Sequence, residues 1–182
     1  MFGWRKSKGL GFDLGGKNCQ FIELKEADSV PRLTAWASRK RPADASKVVE
    51  LLKGWRREYG LGRKVVLSVA GQELLVKKFR LPERTEQELE QMIYWEARER
   101  LPLSLEKVIL DYELQDLAGE QKEVLLAAAR RKRIKERINL MERAGFKVIS
   151  VAAEPLVLGQ LVAEEKSASG RRAVIDIGAE KV

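Results

Sequence analysis

Leu10, Phe12 and Leu14 alternate with glycine and aspartate, a period of two that predicts a strand, and Gly15-Gly16-Lys17-Asn18 then reads as a hairpin turn in which positive φ is cheap. Asn18 to Lys25, with Cys19, Phe21, Ile22 and Leu24, is the expected return strand, and Arg32 to Ser38 a third. Together they predict a three-stranded meander. Pro42 with Asp44 or Ser46 opens a helix on which Val48, Leu52, Trp55 and Tyr59 fall on one face, closed by Gly60. Trp55 is expected in the core. Lys64 to Ala70 is a near-continuous apolar run bounded by basic residues and Gly71, the pattern of a strand buried on both faces. The first part of the chain therefore predicts a β-β-β-α-β unit.

From Gly71 to about Val151 the pattern changes and predicts an inserted module. Leu74 to Leu81 is a strand ended by Pro82, and Thr85-Glu86-Gln87-Glu88 is a capping box before a helix whose buried stripe is Leu89, Ile93 and Ala97. Trp95 points away from that stripe, as a partner contact or the rim of a second interface. Leu101-Pro102 stops the helix. Lys107 to Gln115 and Lys122 to Ala129 read as strands joined at Ala118-Gly119, followed by a helix from about Arg131 to Ala144, giving the order β-α-β-β-α. Phe146 to Val151 is another strand. Ala152-Ala153-Glu154-Pro155 starts a helix, Leu156 to Ala163, that is apolar nearly all round and is expected to be buried. Ser167 to Gly170 reads as a loop, and Ala173 to Ile177 as a last strand.

Composition narrows the chemistry. The 182 residues are 45% hydrophobic, enough for one large or two small domains with a core. A formal net charge of +8, from 35 Lys plus Arg against 27 Asp plus Glu, favours acidic partners. There is no histidine, which excludes imidazole general-base catalysis and His-ligated metal. Cys19 is the single cysteine, so intrachain disulfides and Cys-cluster zinc sites are excluded too, and it is read as a buried strand residue in a cytoplasmic protein. No apolar run approaches the roughly 20 residues that cross a bilayer, and Met1 to Lys8 lacks the apolar segment of a signal peptide. That basic, aromatic arm reads as a disordered terminus or as a contact with an anionic membrane surface. Arg130-Arg-Lys-Arg133 is read as a solvated basic face, because Ile134, Ile138 and Met141 already explain its helix and no nucleic-acid module accompanies it.

The candidate chemistry sits at Asp13, Gly15 and Gly16. The turn is a plain hairpin, or a nest whose backbone N–H groups cradle phosphate oxygens beside an aspartate that holds a hydrated metal ion. A second copy of the pattern, Val174-Ile175-Asp176-Ile177-Gly178-Ala179, favours the clamp. Glu154 is a dipole-compensating cap or a third acidic group beside metal and phosphates.

Gly11-Phe-Asp-Leu-Gly15 with its hairpin, the inserted module, Glu154-Pro155-Leu156 and Val174-Ile-Asp-Ile-Gly178 together resemble the actin and Hsp70-type ATPase superfamily. Within it the chain is similar to the PilM-like family of type IV pilus assembly. The likeness lies in Ile93-Tyr-Trp-Glu-Ala97, Leu101-Pro-Leu, Val108-Ile-Leu-Asp-Tyr112, Glu123-Val-Leu-Leu-Ala-Ala-Ala-Arg130, Ala144-Gly-Phe-Lys-Val148, Ala153-Glu-Pro-Leu156 and Ile175-Asp-Ile-Gly-Ala-Glu180. The resemblance implies an α/β, ribonuclease H-like actin-type fold: subdomain 1A over residues 1–71 and 152–182, an α+β subdomain 1C inserted at 72–151, and the second lobe absent.

It further implies that Asp13, Gly15, Gly16, Lys17 and Asn18 form a first phosphate loop and Asp176 and Gly178 a second, with ATP between them. Asp13, Glu154 and Asp176 would hold Mg through water. No catalytic residue is assigned, hydrolysis being weak in the family. The implied role is a cytoplasmic scaffold, peripheral to the inner membrane through its partners. It would bind the N-terminal segment of a PilN-like membrane protein in a groove involving 1A and 1C, and tie motor proteins to the pilus platform, with Trp95 the candidate contact. No nucleic acid is expected. Gln20 stands about where the family has a lysine, and the chain ends at Lys181-Val182 without the second lobe, so a truncated product that binds ATP weakly or not at all is expected. The unpaired Ala173 to Ile177 strand would invite a homodimer. The alternatives are the actin-like domain of a type II secretion platform protein, which continues into a transmembrane helix this chain lacks, and a sugar kinase. The kinase needs a catalytic Asp base, and none is found beyond Asp13, Asp176 and Glu154. An FtsA-like filament, marked by an amphipathic C-terminal tail, is a third.

Overall fold

The computed structural model describes residues 9–27, 30–163 and 173–176. The Met1 to Lys8 arm, the Ser167 to Gly170 loop and Gly178 lie outside them. In chain order the elements are β1 (Gly9–Leu14), β2 (Asn18–Ala27), β3 (Val30–Lys40), α1 (Ala45–Glu58), β4 (Lys64–Val69), β5 (Leu74–Pro82), α2 (Glu86–Arg100), β6 (Val108–Leu117), β7 (Gln121–Arg130), α3 (Arg131–Arg143), β8 (Lys147–Ala153) and α4 (Glu154–Ala163). The chain divides into two units, one running up to Ala70 and resuming at Glu136, the other Gly71–Lys135.

The first unit is built on a five-stranded sheet in the order β3-β2-β1-β4-β8. β1–β2 and β2–β3 are antiparallel, whereas β4 lies parallel to both β1 and β8. Period-two alternation sends Leu10, Phe12 and Leu14 to one face, and the β1–β2 register sets Phe12 opposite Phe21 and Leu14 opposite Cys19 on that face. α1 covers it with Val48, Leu52 and Trp55, its first turn capped by the Asp44 carboxylate, which accepts from the Ser46 and Lys47 N–H groups at 2.6 and 3.2 Å. Gly60, at φ 60°, ends it in the left-handed region that glycine enters without strain. Trp55 is 1% exposed, with its ring 5.2 Å from Phe21 and 6.3 Å from Phe12. Only one face of β4 is fully buried, Val66 and Ser68 being half-buried, so the expectation of a strand buried on both faces holds for one.

The second unit is an antiparallel sheet in the order β5-β7-β6 with α2 on one face. Leu89, Ile93 and Ala97 form the buried stripe of α2 and pack with Phe79, Val108, Val124 and Leu126. The capping box forms as its spacing predicts: Thr85 accepts from the Glu88 N–H at 3.4 Å, and Glu88 accepts from the Thr85 N–H at 3.1 Å. The Thr85 hydrogen bonds hold the exposed Glu88 carboxyl below the usual glutamate value.

Three expectations are corrected. β8 pairs with β4, so the first unit takes back the strand and the insert closes at Lys135 rather than at 151. Hydrophobic period finds a strand, but its partner is set by a ladder whose other half lies some eighty residues away, which no local pattern reports. None of the residues of α4 is buried, and Leu161 is 66% exposed. An apolar composition shows that a helix needs cover, and the described residues do not supply it. Residues 173–176 carry no strand, and Ile177, the last residue of the expected strand, lies outside the described residues.

Candidate functional site

The turn at residues 15–17 joins β1 to β2, and the side chains around it explain its shape. Asp13 stands at the end of β1 on the face opposite Phe12 and Leu14, half-buried, and its Oδ1 accepts from the Ser68 hydroxyl at 2.9 Å. The parallel β1–β4 register, Phe12 beside Leu67, brings Asp13 and Ser68 to the same height. Sequence reasoning missed Ser68, although it is the one polar side chain inside the apolar part of β4. A Cβ on Gly15 would lie 3.1 Å from the Asn18 carbonyl oxygen and 3.2 Å from Asp13 Oδ2. Glycine is favoured there by close approach, and not by the positive φ expected from the sequence. Gly16, Lys17 and Asn18 are exposed.

Two arginines also reach this turn. Arg41, just past β3, donates from Nη1 to the Leu14 and Gly15 carbonyls at 2.9 and 3.0 Å, and its own N–H donates to the Lys17 carbonyl at 2.6 Å. Arg137 of α3 donates from Nη1 to the Leu14 carbonyl at 2.8 Å. Neither residue carries a local motif. Cys19 lies beside them, fully buried; burial pushes its thiol pKa up, against the pull of Arg41 and Arg137, so the thiol stays neutral and serves packing.

The remaining predicted carboxylates are placed individually. Glu154 is the first residue of α4 and half-buried, an acid at a helix N-terminus as the macrodipole favours. Asp176 is exposed and outside regular structure. Among the described residues no group of three or more acidic, cysteine or histidine side chains is gathered for a metal ion, so Asp13, Glu154 and Asp176 do not form one direct ligand set.

In the second unit an apolar groove of about 110 Å³ is lined by Leu74, Leu75, Leu101, Leu103 and Val108, with Glu73 and Arg130 as its charged members. Leu101-Pro102, which stops α2, supplies part of this wall. Trp95 stands on the solvent face of α2, 62% exposed, and is not one of the lining residues. No helix among the described residues is long and apolar enough to cross a membrane.

A mixed sheet ordered β3-β2-β1-β4-β8, with an acidic residue and a tight glycine turn ending β1, is an α/β fold of the actin-like ATPase type. The family model described as type IV pilus assembly protein PilM matches residues 11–182, and the chain belongs to that family. Among solved structures it is similar to one described as a PilM-PilN type IV pilus biogenesis complex. That match has 24% identity and a TM-score of 0.75, covering 87% of this chain and 51% of that one. It is also similar to the cytoplasmic domain of EpsL, an inner membrane component of the type II secretion system of Vibrio cholerae. Here the identity is 17% and the TM-score 0.55, over 80% of this chain and 57% of that one. At these identities the likeness is one of fold, and the chain spans about half the length of either structure.

Proposed function

We propose that the chain acts as a scaffold of the type IV pilus inner-membrane platform, cytoplasmic and peripheral to the membrane, by binding the N-terminal segment of a PilN-like membrane protein. The observation that carries this reading is the family match over residues 11–182. The apolar groove of the second unit supports it, because a concave apolar surface with a few charged neighbours suits the apolar side chains of a short extended segment. We assign Leu75 and Leu103, two half-buried members of the groove wall, to that contact, and Trp95 on the solvent face of α2 as a separate aromatic contact. Motor proteins of the platform would be reached through the same assembly. We read the unit that runs up to Ala70 and resumes at Glu136 as subdomain 1A and Gly71–Lys135 as subdomain 1C.

For nucleotide, the first turn is read as a phosphate site because a side chain at Gly15 would crowd the Asn18 carbonyl and Asp13, and Asp13 is oriented by Ser68. Asp13, Gly15, Gly16, Lys17 and Asn18 would hold it on one side, with Glu154, Asp176 and Gly178 completing the set. A bound magnesium nucleotide would supply phosphate charge and a water-coordinated cation. With Gln20 exposed where a lysine is expected, binding to this chain is proposed to be weak. No residue is assigned to catalysis.

Calorimetric titration of the chain with the N-terminal cytoplasmic segment of a PilN-like protein tests the scaffold reading. Saturable 1:1 binding is expected, weakened about threefold or more by Trp95→Ala, which removes an exposed aromatic from α2. A folded chain that takes up no segment would overturn it.

A further inference from the structure

We propose that Arg41 and Arg137 are positioning residues for the phosphate turn, fixing its carbonyls so that its amide groups are presented to an anion; this rests on the reading of residues 15–18 as a phosphate-binding turn. The Leu14 carbonyl accepts from both guanidiniums, at 2.9 Å from Arg41 and 2.8 Å from Arg137. A carbonyl oxygen has two lone pairs, so these donors saturate it. Arg41 also binds the Gly15 carbonyl at 3.0 Å through its side chain and the Lys17 carbonyl at 2.6 Å through its backbone N–H. Within a planar trans peptide the C=O of one residue and the N–H of the next point in opposite directions. Holding the carbonyls of Leu14, Gly15 and Lys17 therefore directs the N–H groups of Gly15, Gly16 and Asn18 away from the arginines. Three amides turned from three neutralised carbonyls are what an anion-binding nest requires.

The electrostatics agree with that geometry. Carbonyl dipoles repel phosphate oxygens, and here those of Leu14 and Gly15 are engaged by guanidiniums that always carry charge, while that of Lys17 accepts from a backbone N–H. Burial and the Asp13 carboxylate raise the pKa of the neighbouring Cys19 thiol while Arg41 and Arg137 lower it, so both guanidiniums lie close enough to act on groups beside the turn. They provide positive charge at a site where Gln20 supplies none. Arg41 follows the meander and Arg137 lies in the middle of α3, so the turn is braced from two separate elements of the first unit.

The test combines backbone 15N relaxation of the full chain with titration of MgATP, for the wild type, Arg41→Lys, Arg137→Lys and the Arg41→Ala/Arg137→Ala double variant. In the wild type, order parameters at Gly15 and Gly16 are expected near the ~0.85 of rigid backbone, falling below ~0.6 in the double variant. Phe12 and Leu67 stay unchanged. MgATP affinity falls about tenfold in the double variant, one decade being about 1.4 kcal/mol, and each lysine variant, which keeps one donor and the fold, retains part of both properties. Unchanged order parameters in the double variant overturn the bracing. A loosened turn with unaltered affinity overturns the link to phosphate. A wild type that takes no MgATP at millimolar concentration rejects the phosphate reading and its positioning role, while the order parameters still decide whether the arginines brace the turn.

Discussion

Trp55→Ala lowers the stability of the first unit by about 3–5 kcal/mol, the range for removing a buried tryptophan. Trp55 is 1% exposed and touches Phe12 and Phe21, which are themselves registered opposite one another across β1 and β2. The cavity would open where the sheet meets α1, and Val48 and Leu52, fixed to the same rigid helix, cannot close it. Against a domain stability of about 5–15 kcal/mol the loss is large. Urea unfolding followed by circular dichroism reads it as a transition displaced to lower denaturant. Trp36→Ala is the control: Trp36 is 63% exposed on β3, and its removal is expected to change stability by no more than about 0.5 kcal/mol. Equal effects of the two substitutions would contradict the assignment of the core.

Leu103→Asp abolishes capture of the PilN-like segment, weakening it about a hundredfold or more, because a carboxylate buried against apolar side chains without a partner costs several kcal/mol. Leu103 is half-buried in the groove wall beside Leu101 and Val108. Leu103→Met, which nearly conserves volume and polarity, keeps most of the affinity. Since Leu103 also packs on the core of the second unit, thermal melting of each variant separates lost docking from lost folding. Leu103→Asp that melts normally and binds normally would remove the groove from the interface.

How far residues reveal this architecture depends on the distance over which each feature is decided. The capping box at Thr85 and Glu88, the stripe Leu89, Ile93, Ala97 and the core role of Trp55 are set by neighbours three to four residues apart, and all were legible. The order of elements from β5 to α3 was legible for the same reason. Asp13 and Gly15 were legible as a candidate turn, but what shapes it was not. Ser68 is 55 residues from Asp13, and Arg137 is 123 from Leu14. Nothing in the local sequence of α3 distinguishes Arg137 from the other basic residues of that helix; only the fold brings it to the turn. β8 was found as a strand and assigned to the insert because its parallel ladder with β4 has no local signature. α4 shows the converse: its composition asks for cover on all sides, and the described residues leave Val157 and Leu161 exposed.

Hydrogen exchange of the chain, read by mass spectrometry with and without a saturating PilN-like N-terminal segment, tests most directly whether the second unit does the recognising. Protection is predicted in the peptides that cover residues 73–76, 101–108 and 128–130, with the β1–β2 turn unchanged. Protection confined to the first unit, or none at saturating segment, would contradict it.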